Sequence, residues 1–453
     1  MLVFISVLLC SLALVAAQQA GTLVNETHPR LQWTRCAANE GCQAVDGEVV
    51  MDANKRWIHK IDSYENCYSG NDWDDSVCDT GEDCTSMCVL EGAEYIPVYG
   101  VNATNDSISL KLKTYIEFAR NIGSRLFLME SKNRYQMFTL LNNELAFDVD
   151  LSTVECGINS ALYFVAMDAD GGQARFPTNK AGAEYGTGYC DADCPRDLKF
   201  VGGKANMDPG WAPSQTDPDS GDGYFGACCP GFAVWNSNAH SFSMSSHTCP
   251  QEDYQICEWY ICDGTSFGPD VFGPRCDRMG CDYNPYRMGN KDFYGKGKEV
   301  DTARKFTVVT QWTEDKVTQF FIQDGRKIDI PAPTWDGLPN HSGLTAELCE
   351  ALPVVFGDDD LFVQNGGWKR HTSMLNQPMV LVMSIGLDHY AHNLWLDSLY
   401  PPYDNDENSP GKERGDCLPI EDNDPLVVEN KHPNAKVVWS NIRFGPIGST
   451  VKV

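Results

Sequence analysis

"ELAFDVDLSTVECGINSALYFVAMDADGG", residues 144–172, decides the fold. Two runs in it, ELAFDVDL and ALYFVAMDA, are rich in aromatic and β-branched residues, and the first alternates apolar with polar side chains. A period of two marks a strand with one buried and one solvated face. The same signal recurs outward in SISLKLKTY (107–115), RLFLMES (125–131), KFTVVTQW (305–312), TQFFIQDG (318–325), MVLVMSIG (379–386) and KVVWSNIRF (436–444). Such strands build sheets with two unlike faces, as in a sandwich. Helical periodicity is scarce, and only NKRWIHK (54–60) and AELCEAL (346–352) are expected as short helices. Long segments rich in Gly, Asp, Pro and Cys separate the strands at 168–230, 249–300, 331–372 and 399–434. Loops of that length are usually functional, and disulfides tie them down. The expected fold class is all-β: an antiparallel β-sandwich with stapled loops folded over one face as a groove or tunnel. A groove with Trp and Tyr nearby suits a polymer of sugar rings.

The N-terminus, MLVFISVLLCSLALVAAQQAG, reads as a secretory signal peptide over 1–17, with Val15 and Ala17 at the −3 and −1 cleavage positions. Of 19 cysteines, Cys10 lies in that segment, which leaves an even 18 for an oxidising compartment. Spacings such as Cys190/Cys194 and Cys228/Cys229 lack matching His pairs, so neither a metal nor another cofactor is expected. Four sequons, at Asn25, Asn102, Asn105 and Asn340, are candidate glycosylation sites. Residues 18–453 are expected as one domain without a linker or binding module. The formal net charge of −28 argues against nucleic acid and anionic membrane as partners.

One stretch breaks the acidic pattern. Asp and Glu number 63, yet none occurs from Gly223 to Gln251, a window that contains CCPGFAVWNSNAHSFSMSSHTC (228–249). At the mean density about four would fall there.

Several motifs, taken with 144–172, carry a resemblance: ETHPRLQW (26–33), VMDANKRWIHK (50–60), YGTGYCDADCPRDLKFVGG (185–203), GCDYNPYRMGNKDFYG (280–295), LWLDSLYP (394–401) and NAKVVWSNIRFGPIGST (434–450). The chain resembles glycoside hydrolase family 7, the cellobiohydrolases and endoglucanases that act on β-1,4-glucan, from about Gln18 to Thr450. The resemblance implies a curved, jelly-roll, concanavalin-like sandwich with a cellulose-binding cleft. Segments near 204–226, 257–281, 331–372 and 399–416 look like the loops that roof the tunnel in cellobiohydrolases. It also implies the bridges Cys36–Cys42, Cys67–Cys88, Cys78–Cys84, Cys156–Cys417, Cys190–Cys229, Cys194–Cys228, Cys249–Cys276, Cys257–Cys262 and Cys281–Cys349.

The same resemblance gives the acid-free stretch its meaning. The family's strand after the paired Cys reads Glu-x-Asp-x-Trp-Glu: nucleophile, orienting Asp, and acid/base. Here GFAVWN puts Gly231, Ala233 and Asn236 in those places. Retaining hydrolysis needs two carboxyl groups flanking the scissile bond, so the resemblance implies a degenerate catalytic set. Gly386 and Leu387 stand where the family has a Trp-Asp pair, and about Val271 stands in place of a product-side Arg. Positions that match cleft residues are Trp57, Asn159, Tyr163, Tyr189, Asp191, His247, Asp282, Arg287, Trp395 and Arg414.

Three functions compete. The first is a secreted, extracellular monomer that binds cellulose or soluble β-1,4-glucan oligosaccharides without hydrolysing them. The second is a glucan hydrolase with relocated acids, Asp191 and Asp193 being the candidates. The third is a structural secreted protein with a collapsed cleft. Restoring the three carboxylates is expected to return weak activity, because Gly386 and Leu387 leave the neighbouring subsite unsupported.

Overall fold

Two large sheets stack face to face in the computed structural model, which describes residues 16–38, 40–117, 119–262, 276–403, 409–420 and 422–452. One runs in the order Gly41–Val45, Trp33–Ala37, Lys436–Pro446, Asn143–Asp150, Phe306–Trp312, Val317–Gln323, Arg326–Asp329. The other runs Arg134–Tyr135, Ser124–Ser131, Met379–Gly386, Asn159–Val165, Gly231–Ser237, Phe242–His247, Cys281–Tyr283. Pairing is antiparallel throughout the second sheet. Trp33–Ala37 joins Lys436–Pro446 in parallel and makes the first sheet mixed. Residues 1–15 of the expected signal peptide lie outside the described residues, as does Val271.

Aromatic rings from both sheets meet in the core between them. Trp312 receives the edges of Phe164 and Phe232, and Trp235 lies against Phe147 and Phe321. These rings are fully buried, and sheet-on-sheet packing of this kind supplies most of the hydrophobic stabilisation.

Two expectations from sequence are corrected. NKRWIHK is not a helix: a single 3-10 turn, Ala53–Lys55, is capped by the Asp52 carboxylate on Asn54 N–H, and the chain then extends into the strand Ile58–Lys60. The segment 331–372 is not loop throughout, since helices Ala346–Phe356, Leu361–Gln364 and Gly367–Leu375 occupy or begin in it. AELCEAL does open the first of these, with Thr345 as its N-cap.

Nine disulfides link Cys36–Cys42, Cys67–Cys88, Cys78–Cys84, Cys156–Cys417, Cys190–Cys229, Cys194–Cys228, Cys249–Cys276, Cys257–Cys262 and Cys281–Cys349. Asn25, Asn102, Asn105 and Asn340 are all exposed. No helix among the described residues is long and apolar enough to cross a membrane.

Beside the Cys156–Cys417 bridge lies a charged clamp. His240 bonds Glu155 through Nε2 at 3.0 Å and Asp416 through Nδ1 at 2.9 Å. Lys296 and Lys298 hold the other oxygens of those two carboxylates. Burial lowers the imidazolium pKa, but the Asp416 and Glu155 hydrogen bonds outweigh it and raise it from 6.5 to about 9. A folded-state pKa raised in this way stabilises fully below 6.5, and the stabilisation is lost as pH rises through about 9. The shift is worth at most about 3 kcal/mol. Urea unfolding of the disulfide-intact protein should therefore show stability falling between pH 7 and pH 10. In His240→Gln most of that fall should vanish, and an identical fall in the variant would remove the clamp from the account.

Candidate functional site

The face of the second sheet turned away from the core carries the candidate site. Cross-strand partners share a face, so the register defines rows of side chains running across the strands. One row is Arg125, Ser384, Ala161, Asn236, Ser243. The next is Phe127, Val382, Tyr163, Ala233, Ser245, Asp282. Gly231 pairs with Val165 on one side and His247 on the other.

A bulge explains why Ala233 and Asn236, three residues apart, face the same way. The register slips between Leu162/Tyr163 on one strand and Ala233/Asn236 on the other. Val234 and Trp235 both turn into the core at full burial, and Asn236 returns to the open face. The sequence does not mark it, since Phe232, Ala233, Val234 and Trp235 are all apolar.

The three positions present hydrogen, methyl and amide. Asn236 Oδ1 accepts from Asn159 Nδ2 at 3.1 Å, and Asn159 Oδ1 accepts from Ser237 N–H. Backbone closes over Gly231: a Cβ there would stand 2.6 Å from the Phe164 carbonyl oxygen and 3.1 Å from Val165 Cγ1. Gly386 differs, since a Cβ at that position meets nothing within 4 Å. Leu387 packs on the core.

Around the rows lie the other cleft candidates. Tyr189 donates to Asp191 Oδ2 at 2.5 Å, so the Tyr163–Tyr189 contact of 2.8 Å has Tyr163 as donor. Burial, then the charge of Asp193, raises the Asp191 carboxyl to about 6. Cys190–Cys229 and Cys194–Cys228 pin this loop beside the Gly231–Ser237 strand. The Asp193 side chain is largely exposed and sits 3.7 Å from Arg278. Arg125 lies over the Tyr189 ring at 3.5 Å and pairs with Asp52. His247 Nδ1 donates to the Asp277 carbonyl at 2.9 Å, which in the neutral ring leaves Nε2 to accept from Ser245 at 2.6 Å.

At the far end of the rows, Asp282 and Asp358 both pair with Arg287, whose Nε donates to Gly411. That guanidinium is buried and fully engaged within the protein. Arg414 differs: it is buried, lies over Tyr400, and its Nε has no hydrogen-bond partner among the described residues. Burial and the neighbouring Arg287 lower its pKa to about 10. Trp395 is partly exposed and donates to Asp388. Trp57 is partly exposed and stacks on His59. Sequence reading missed Tyr64, which stacks on Trp57 and is 78% exposed.

Residues 20–451 match Glycosyl hydrolase family 7, and the chain belongs to that family. A cellobiohydrolase from Melanocarpus albomyces, solved with cellotetraose, is 55% identical, with a TM-score of 0.91 over 96% of this chain and 100% of that one. The cellobiohydrolase of Daphnia pulex is 41% identical, with the same TM-score and coverage. The Humicola insolens endocellulase EGI is 30% identical at a TM-score of 0.79, again over 96% and 100% of the two chains. The fold is thus cellobiohydrolase-like.

Proposed function

We propose that this protein is a secreted, monomeric member of the family that binds β-1,4-glucan chains without hydrolysing them. One observation carries the reading: Gly231, Ala233 and Asn236 face the open side of the sheet in the rows above and offer no carboxyl. Two of the nearby acids have other partners: Asp282 is paired with Arg287, and Asp191 accepts from Tyr189. Between Arg125 and Asp282 the open face offers Ser243, Ser245, Asn236, Asn159 and Tyr163 as neutral polar groups, and Trp57 and Trp395 are partly exposed. Such groups suit sugar hydroxyls, and aromatic faces suit sugar C–H faces. The cellotetraose in the Melanocarpus albomyces structure supports a glucan as the ligand.

Calorimetric titration with cello-oligosaccharides tests this. Affinity is expected to rise with chain length up to the span of the cleft. Trp57→Ala and Trp395→Ala should each weaken binding roughly tenfold without unfolding the domain. If neither cellohexaose nor insoluble cellulose binds at millimolar sugar, the binding role fails and a structural role takes its place.

The raised pKa of Asp191, about 6, on a loop held by two bridges favours a second reading, hydrolysis through relocated acids. Turnover abolished by Asp191→Asn or Asp193→Asn would establish it.

A further inference from the structure

Ser245 and His247 are two residues apart on the strand Phe242–His247 and share its open face. Ser245 lies in the floor, 4% exposed, and His247 is partly exposed beside it. The two meet there, with Ser245 Oγ 2.6 Å from His247 Nε2. The other ring nitrogen, Nδ1, donates to the Asp277 carbonyl at 2.9 Å, which in the neutral ring leaves Nε2 as the acceptor. Gly280 lies directly against the ring, since a Cβ there would stand 2.7 Å from His247 Cε1. A hydroxyl that donates to an imidazole held on its far side is the arrangement that activates a serine nucleophile.

The neighbours leave this pair to itself. Across the strand pairing, Gly231 stands beside His247 and Ala233 beside Ser245, and neither offers a side chain that hydrogen-bonds. On the other side Ser245 pairs with Asp282, whose carboxylate is held by Arg287. Asp277 is buried, and its Oδ2 has no hydrogen-bond partner among the described residues. Burial raises that carboxyl to about 6, against the pull of the His247 imidazole. Once ionised, it favours the imidazolium that forms when Ser245 gives up its proton. Asn236 supplies a donor, because Asn159 occupies its Oδ1 and its Nδ2 has no partner among the described residues. Asn236 lies opposite Ser243, one row from Ser245. Diagonal neighbours of this kind are about 7–8 Å apart. An ester carbonyl bridges such a gap, with its carbon at Ser245 Oγ and its oxygen at the amide donor.

We infer that Ser245 and His247 are a nucleophile and general base that remove short acyl groups, such as acetyl, from the hydroxyls of a bound β-1,4-glucan. The side chains at Ala233 and Ala161 are methyls, which suits a short acyl group. Ser245 Oγ attacks the ester carbonyl carbon as its proton passes to His247 Nε2. The bond from that carbon to the sugar oxygen breaks, and the sugar oxygen takes the proton. Water then attacks the acyl-serine and gives a proton to Nε2. The carboxylic acid leaves, and the proton returns to Ser245 Oγ. The inference rests on the glucan-binding reading for the sugar that carries the ester, whereas the ester chemistry rests on the pair alone.

The test follows p-nitrophenyl acetate hydrolysis and deacetylation of acetylated cellohexaose by wild type, Ser245→Ala, His247→Asn and Asn236→Ala. Peptide mass mapping after phenylmethylsulfonyl fluoride locates any labelled serine, and thermal unfolding checks that each variant folds. Wild type should hydrolyse both substrates and carry the label on Ser245. Ser245→Ala and His247→Asn should each lower the rate at least roughly a hundredfold, and Asn236→Ala by a similar factor. If wild type matches the blank and Ser245 stays unlabelled, the pair is not catalytic, while cellohexaose titration still decides glucan binding. Hydrolysis that survives Ser245→Ala overturns it too. If acetylated cellohexaose binds and keeps its acetyl groups, the sugar-ester assignment falls. If Ser245 is acylated but no oligosaccharide binds, the glucan-binding reading fails and the nucleophile stands.

Discussion

Purified protein incubated with cellulose, or with aryl β-cellobiosides and lactosides, is expected to release no cellobiose and no chromophore above a boiled control. Retaining hydrolysis places two carboxyl groups about 5–5.5 Å apart across the glycosidic bond. At the three positions that the family resemblance assigns to this work, the strand offers a hydrogen, a methyl and an amide. Glycine and alanine have no lone pair with which to attack an anomeric carbon. The Asn236 amide has no acidic proton near neutral pH, and its oxygen is bonded to Asn159. General acid catalysis alone contributes roughly 10²–10⁴-fold. Losing residues that act as a unit costs up to on the order of 10⁶, without adding up residue by residue. Asp191 is raised towards neutrality, and Asp193 and Asp277 are raised as well, but Asp191 and Asp193 sit on a single loop on one side of the row. Turnover close to that of active relatives would refute the binding-only reading, and Asp191→Asn would then show whether that loop supplies the acid.

The strands were legible because each is long and its periodicity is unambiguous. Asn143–Asp150 and Met379–Gly386 coincide closely with the runs ELAFDVDL and MVLVMSIG. Short elements were not, for definable reasons. SISLKLKTY is one apolar run but two strands: Ser107–Lys111 pairs with Lys436–Pro446, and Lys113–Ile116 turns to pair with Ala119–Ile122. The helix Gly367–Leu375 begins at two glycines with φ of +102° and +56°, which read as loop. Burial of His371, Met374 and Leu375 holds it, a tertiary effect that local propensity does not encode. At the site, the resemblance supplied the residue positions, but nothing in the sequence reported the bulge at Val234 or the closure over Gly231. Both depend on how the neighbouring strand is registered. Tyr64 was passed over because it occupies an irregular loop, where an aromatic carries no periodic signal.

Restoring the carboxylates with Gly231→Glu, Ala233→Asp and Asn236→Glu should fail mainly at the first position. Asn236 is partly exposed, and Ala233 faces Tyr163 and Ser245 across the row. New side chains there project from the open face. Gly231 has no such room. A Cβ would lie 2.6 Å from the Phe164 carbonyl oxygen, and that atom is backbone, so no side-chain rotation relieves the contact. The strands Asn159–Val165 and Gly231–Ser237 would have to part locally, in the middle of the second sheet. Overpacking of this kind costs typically about 1–3 kcal/mol. Gly231→Ala alone should therefore lower urea stability by about that amount, more than Ala233→Ser or Asn236→Gln. A carboxylate carried on a displaced strand is also misplaced, and about 1 Å of error costs roughly a hundredfold in rate. The triple variant is thus expected to hydrolyse aryl cellobiosides at least roughly a hundredfold more slowly than active relatives, even where it folds and binds. A Gly231→Ala protein as stable as wild type, together with a fast triple variant, would mean that the strands part freely. The absent carboxylates would then be three point changes on an intact catalytic frame, rather than part of a frame that the closure over Gly231 has also altered.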